Sequence, residues 1–215
     1  AFGVPFYRVT DPRSTDLERE IVALAGAPPV IVDAKLPSED IETGARLMKL
    51  GFHKVCVQIE LLHALAGPVP APERSGIYGT VELSDAVIRA HAAQFVFDRF
   101  ALDISLPSAG HDTLYERWIR NSLQGGACSV ALCENNFITF KDTQESVKID
   151  LVSVLDKGQG IATDLLNAIL CHARKRRARH VEVVTECENR PAVSLYLKAG
   201  FKPNRFHSVF HLVQI

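Results

Sequence analysis

Two hydrophobic periods alternate through the second half of this chain. Residues 147–155, Val147-Lys148-Ile149-Asp150-Leu151-Val152-Ser153-Val154-Leu155, are rich in β-branched types and predict a strand. The period then lengthens to that of a helix, with Ile161, Leu165, Leu166, Ile169, Leu170 and Ala173 on one face. Residues 180–185 predict a second strand. A second helix follows: Asn189 can cap it, Pro191 is tolerated in its first turn, and Gly200 ends it in a left-handed conformation. Residues 206–213 predict a last strand, with His207 and His211 on one face but too far apart to share a metal.

Upstream, residues 77–83 predict a strand and Ser84 caps a helix. Thr113-Leu114-Tyr115-Glu116 has the form of a capping box starting a helix through Ser122. Residues 129–133 and 137–141 predict antiparallel strands joined by the turn residues Glu134-Asn135-Asn136. Three prolines and two glycines in residues 67–76 argue against regular structure there. They mark a linker between a first half, 1–66, and a larger part, 77–215. In the first half, residues 30–34 predict a strand, a helix ends at Lys49-Leu50-Gly51-Phe52, and residues 55–59 predict another strand. Lys49, Gly51 and Phe52 mirror Lys198, Gly200 and Phe201, so the last β-α-β unit has an internal copy. Some 66 residues make a marginal core alone, so this half is expected to extend the sheet of the larger part.

The chemistry gathers at Lys157-Gly158-Gln159-Gly160-Ile161-Ala162, between the long strand and its helix. Glycines let a backbone turn tightly and approach a ligand. The first N–H groups of the helix, including that of Thr163, lack intrahelical partners and favour an anion, phosphate above all. The first half has Asp11-Pro12-Arg13-Ser14 ahead of its expected first helix near 15–25. Asp11 would repel a pyrophosphate and Pro12 has no N–H, so that half is expected to bind none.

The order strand, glycine turn, helix, strand, capped helix closely resembles the Gcn5-related N-acetyltransferase (GNAT) family. Its loop pattern, Gln/Arg-x-x-Gly-x-Gly/Ala, is met from Lys157 to Ala162 except at the first place, where lysine lacks the planar fork of arginine. Its second signature, Asn-x-x-Ala-x-x-Leu-Tyr-x-Lys-x-Gly-Phe, is met at Asn189, Ala192, Leu195, Tyr196, Lys198, Gly200 and Phe201. The resemblance covers about residues 77 to 215 and implies an α/β fold, a mixed sheet flanked by helices, preceded by a truncated β-α-β half.

It also implies acetyl-CoA as co-substrate and no metal. Acetyl-CoA would be held by Leu151, Val152, Ser153, Val154, Lys157, Gly158, Gln159, Gly160, Ile161, Ala162, Thr163, Asn189 and Ala192, with a backbone N–H of the long strand as oxyanion donor. Tyr196 stands where the family keeps its general acid. For the base, Asp150 is favoured, with Glu186, Glu188 or a water chain as alternatives.

The half-repeat, with Phe97 to Asp103 and Tyr115 to Ser122, is similar to the TDP-fucosamine N-acetyltransferases, which acetylate a nucleotide-linked amino sugar. That likeness puts Arg99, Trp118 and Arg120 near the acceptor. Core packing for Trp118 and solvated helix charges for the arginines are the alternatives. A peptide or other small amine is the second acceptor reading. A non-catalytic acyl-CoA-binding regulatory module is the rival from another class.

Composition narrows the partners. The 215 residues are 47% hydrophobic and 23% charged, enough for one or two domains with a sizeable core. A net charge of −1 gives no bulk reason to bind nucleic acid or membrane. No apolar run spans a bilayer and no signal peptide stands at the start, so a cytoplasmic location is expected and a homodimer is left open. Arg174-Lys175-Arg176-Arg177-Ala178-Arg179 suits the C-terminal end of the loop helix. Five scattered cysteines, with no C-x-x-C, are expected as free thiols rather than zinc ligands.

Overall fold

Four strands at the centre set the architecture. A computed structural model describes residues 3–25, 29–107, 109–124 and 128–214. In chain order the elements are β1 (Phe6–Arg8), α1 (Leu17–Ala25), β2 (Val30–Pro37), α2 (Ile41–Lys49), β3 (His53–His63), β4 (Gly76–Tyr78), α3 (Asp85–Ala92), α4 (Ala109–Gln124), β5 (Ser129–Cys133), β6 (Asn136–Asp142), β7 (Ser146–Ser153), α5 (Ile161–Lys175), β8 (His180–Glu186), α6 (Arg190–Lys198) and β9 (Lys202–Gln214). They build one nine-stranded mixed sheet ordered β1-β2-β9-β3-β8-β7-β6-β5-β4. β9, the last strand, lies between β2 and β3, and β3 lies between β9 and β8. Each half therefore lends its closing strand to the other.

The repeat read from Lys49, Gly51 and Phe52 extends well beyond those residues. α2 and α6 are both nine residues long, capped by Asp40 on Thr43 N–H (3.1 Å) and by Asn189 on Ala192 N–H (3.3 Å). They end alike: Phe52 N–H bonds the Leu47 carbonyl, and Phe201 N–H bonds the Tyr196 carbonyl. Gly51 and Gly200 sit at φ +92° and +89°, where a side chain would be strained. Even the strand registers correspond, Asp33↔His211 with Leu62↔Glu182 and His53↔His211 with Leu62↔Lys202, at one constant offset.

The sheet has helices on both faces. Leu17, Ile21 and Leu47 of α1 and α2 pack on Val32, Ala34, Phe210 and Leu212. α5 and α6 cover the same face further along, where Leu165, Leu166, Ile169 and Tyr196 meet Leu61, Ile138, Val181 and Val183. On the other face Ile88, Tyr115, Ile119 and Leu123 of α3 and α4 meet Val130, Phe137 and Leu151.

Three expectations need correction. The strand expected at 77–83 stops at Tyr78, because Val81 N–H turns to the Leu123 carbonyl (2.9 Å) at the end of α4. α4 is already helical at Ala109, so Thr113 and Glu116 lie inside it and form no capping box. Its first turn is set by Gly110 N–H on the Pro107 carbonyl (3.2 Å) and by His111 on Asp98 (2.7 Å). β7 ends at Ser153 rather than at 155, since Leu155 N–H is captured by Asn136 Oδ1 (2.7 Å).

Candidate active site

The parallel strands β7 and β8 pair only over Ser146↔His180, Val147↔Val181 and Lys148↔Glu182, and then separate. A bulge explains the divergence. Thr139 of β6 faces Leu151 and Phe140 faces Ile149, so Asp150 is an extra residue that bends β7 away. Beyond the bulge Leu151 N–H goes to Thr139 Oγ1 (3.1 Å). Strand alternation then turns the N–H groups of Val152 and Val154 toward the gap. Of the strand residues expected to meet the thioester, these two have the free donors. The Ser153 hydroxyl is bonded to His91 (2.7 Å), and the Leu151 side chain is buried under α4.

Beside this gap the glycine turn opens α5. Gly158 and Gly160 lie at φ +82° and +74°, and a Cβ at either would meet nothing within 4 Å. Backbone conformation, not crowding, demands glycine there. Gly160 caps α5 without a side-chain bond, which leaves the N–H groups of Ile161, Ala162 and Thr163 directed outward at the positive end of a 15-residue helix. Lys157 is exposed beside them.

Asp164, in the same first turn, is occupied elsewhere. Its carboxylate accepts from Glu73 N–H (2.6 Å), Arg74 N–H (3.1 Å) and the Ser75 hydroxyl (2.5 Å). Against the pull of burial, these bonds hold it below the usual carboxylate range. The clasp brings Arg74 to the loop, where its guanidinium bonds the Gln159 carbonyl (2.9 Å). Sequence reasoning missed Arg74, since the prolines around it signalled only a linker.

Tyr196 is 3% exposed, with its ring 5.5 Å from that of Phe201. Burial pushes its phenol far above the ordinary value and keeps it protonated. Asn189 acts as the cap of α6 on the amide of Ala192. Asp150 points to the α4 face, where Trp118 Nε1 (3.0 Å) and the Ser122 hydroxyl (3.1 Å) donate to it and Lys141 lies 3.7 Å away. Glu186, at the end of β8, is buried with one hydrogen bond from Gln58 (3.0 Å). Burial, opposed by that bond, raises its carboxyl above the usual range. Glu188 is exposed.

The structure joins Trp118 to Asp150 and stacks it on Tyr115, with ring centroids 5.5 Å apart. Arg99 lies near Asp33, 3.8 Å from its Oδ1, with its charge close enough to act on Glu186. Arg120 instead pairs with Asp85 (2.7 Å) and Glu116 (3.9 Å) toward α3, a surface arrangement worth about 1 kcal/mol or less. Between Glu182 and Glu186, Val184 is 39% exposed on the sheet face opposite α5 and α6. Among the described residues no cluster suited to a metal occurs, the five cysteines are unpaired, and no helix is long and apolar enough to cross a membrane.

Residues 156–201 match the family model "Acetyltransferase (GNAT) family". A Gcn5-related N-acetyltransferase from Sphaerobacter thermophilus superposes with TM-score 0.60 at 21% identity, over 94% of this chain and 69% of that one. A tandem GNAT protein from the clavulanic acid biosynthesis pathway superposes with TM-score 0.61 at 16% identity, over 98% and 76%. The Gcn5-related glucosamine N-acetyltransferase region of a fungal multi-domain beta-N-acetylglucosaminidase gives TM-score 0.55 at 13% identity, over 84% and 25%. No curated protein matches the chain's sequence significantly. Over residues 156–201 the chain is similar to the acetyltransferase (GNAT) family, and over nearly its whole length it has the fold of these solved GNAT structures.

Proposed function

We propose that this protein transfers the acetyl group of acetyl-CoA to the amine of a small acceptor, with an amino sugar linked to a nucleotide as the leading class. The observation that carries the reading is the gap between β7 and β8, flanked by an uncapped helix N-terminus on one side and a buried carboxylate on the other. The N–H groups of Ile161, Ala162 and Thr163, with Lys157 and Arg74, would neutralise the pyrophosphate of CoA. Pantetheine would lie along β7, where the Val152 or Val154 N–H polarises the thioester carbonyl and stabilises the tetrahedral intermediate. Glu186 would accept the proton of the attacking amine, and Tyr196 would protonate the departing thiolate. Asp150 suits the base role less, since two donors and Lys141 already engage it. It would instead anchor Trp118 and Ser122 of α4 to β7 through their hydrogen bonds.

The amino-sugar reading rests on the likeness at residues 97–103 and 115–122, with the half-repeat in front. The fungal neighbour, a glucosamine N-acetyltransferase region, offers a parallel for this fold acting on an amino sugar. The test is an acceptor screen with thiol release as readout and mass spectrometry of the product. TDP-linked amino sugars are expected to gain one acetyl group. Activity confined to peptide N-termini, lysines or polyamines would refute the sugar and keep the transferase. Acetyl-CoA binding without turnover on any amine would favour a regulatory module.

A further inference from the structure

Past its short pairing with β8, β7 has a strand on one side only, and past Ser153 it has none among the described residues. Its last ladder pair with β6 is Phe137↔Ser153. Yet residues 152–156 carry the outward amides of Val152 and Val154 and lead into the glycine turn. Side chains take over from the ladder here. The Ser153 hydroxyl bonds His91 Nδ1 (2.7 Å), and Leu155 N–H bonds Asn136 Oδ1 (2.7 Å). Asn136 Nδ2 donates to Asp156 Oδ2 (3.1 Å). His91 comes from the last turn of α3 and Asn136 from the start of β6.

The remaining bonds of these two side chains go to the β5–β6 turn. His91 Nε2 lies 2.8 Å from the Asn135 carbonyl, and Asn136 Nδ2 also reaches the Cys133 carbonyl (3.4 Å). A carbonyl only accepts, so Nε2 carries the imidazole proton. In the neutral ring Nδ1 is then an acceptor, and the Ser153 hydroxyl donates to it. Burial holds His91 below its ordinary value and keeps the ring neutral. Both side chains are fully buried. A polar group in such a place is costly unless its bonds are made, and an apolar residue would fill the space without that cost. Three of the bonds made here end within residues 153–156, beside the gap.

We propose that His91 and Asn136 are positioning residues for acetyl transfer, holding the end of β7 so that its outward amides meet the thioester carbonyl. The proposal rests on the acetyltransferase reading above. The anchors fall on alternate residues: Leu151 N–H on Thr139, the Ser153 hydroxyl on His91, and Leu155 N–H on Asn136. The free amides of Val152 and Val154 lie between them, each fixed from both sides. Neither His91 nor Asn136 touches the cofactor, since both are buried with their polar atoms engaged. A donor to a developing oxyanion is worth most when it is held in place beforehand. An error of about 1 Å in such a placement can cost about 10²-fold in rate. The Asp156 bond carries the constraint on to Lys157 and the glycine turn, so the sites for thioester and pyrophosphate keep a fixed separation.

The test reads the thioester carbonyl itself. Acetyl-CoA carrying an isotope label at that carbon is bound to the full chain, and its carbonyl stretch is followed by isotope-edited infrared difference spectroscopy. In the wild type the stretch should move down from its value in free acetyl-CoA, because an amide polarises the bond. Ser153→Ala, His91→Leu and Asn136→Leu should lose most of that shift. His91→Gln, which keeps one donor and one acceptor, should retain more of it than His91→Leu. With any amine the wild type acetylates, kcat should fall about 10- to 100-fold in Ser153→Ala and Asn136→Leu. The KM for acetyl-CoA, set mainly at the glycine turn, should rise less than about threefold. A merely structural role would lower stability and leave the carbonyl of the bound cofactor unmoved. An unshifted carbonyl in the wild type, or a shift unaltered in both Ser153→Ala and Asn136→Leu, would overturn the proposal. Absence of turnover on every amine would refute the transferase reading instead, and the infrared shift, which needs no acceptor, would still decide the anchors. If either leucine variant misfolds, Ser153→Ala, which removes a single hydroxyl, decides it.

Discussion

Glu186 and Tyr196 are both displaced by burial, in ways that suit opposite tasks. A carboxyl raised above 4.5 is a stronger base once ionised, and a phenol kept protonated remains a proton source. The acidic limb of kcat/KM against pH should therefore lie above 4.5, with the rate falling as pH drops through it. Glu186→Gln should remove that limb and lower turnover by about 10²–10⁴. Tyr196→Phe should cost a similar factor with acetyl-CoA affinity nearly unchanged, because the ring stays in place. His211 offers a check on stability. Burial lowers its affinity for a proton, but Asp103 and Asp33 outweigh burial and raise it above 6.5. The folded value then exceeds the unfolded one, so this contribution is full below about 6.5 and is lost as pH rises through the folded value. Urea midpoints should fall over that range in the wild type and stay flatter in His211→Gln.

At the scale of elements, the glycine turn and α5 depend on a clasp that no local pattern announces. Gly160→Val should weaken acetyl-CoA binding, since a β-branched residue resists φ +74° and would shift the amides of Ile161 to Thr163. Arg74→Gln should raise the KM for acetyl-CoA, and Asp164→Ala should do so too by freeing residues 73–75. Initial-rate titrations of acetyl-CoA read all three. The turn, both signature helices and the β7 strand were legible because their signals are local: positive-φ glycines, caps and periodicity. The clasp was not, as Arg74 and Asp164 are 90 residues apart and meet only through the fold. Asp150 was favoured as base from its place on β7; the bulge that sends it to Trp118 depends on β6, which a period-two reading of β7 cannot see. Glu186 owes its raised carboxyl to burial, and its hydrogen bond comes from Gln58, 128 residues away; both arise only in the folded chain.

Across the whole molecule, the halves share a sheet in which β9 has β2 and β3 as its neighbours. A fragment of residues 77–215 would expose both edges of that strand and strip β8 of β3. It should fail to give a cooperative unfolding transition by circular dichroism, whereas the full chain should unfold in one. The repeat also shows where the halves diverge chemically: Leu47 takes the place in α2 that Tyr196 holds in α6, both buried and both closing the helix through their carbonyls. The exchanged strands bear on synthesis as well. β2 and β3 emerge from the ribosome early, yet the strand that belongs between them is the last of the described strands to be made. The first half cannot mature while the second is being translated, and its apolar strands wait open until β9 arrives. Refolding should accordingly be slow, and a nascent chain stalled before residue 202 should stay sensitive to protease along its whole length.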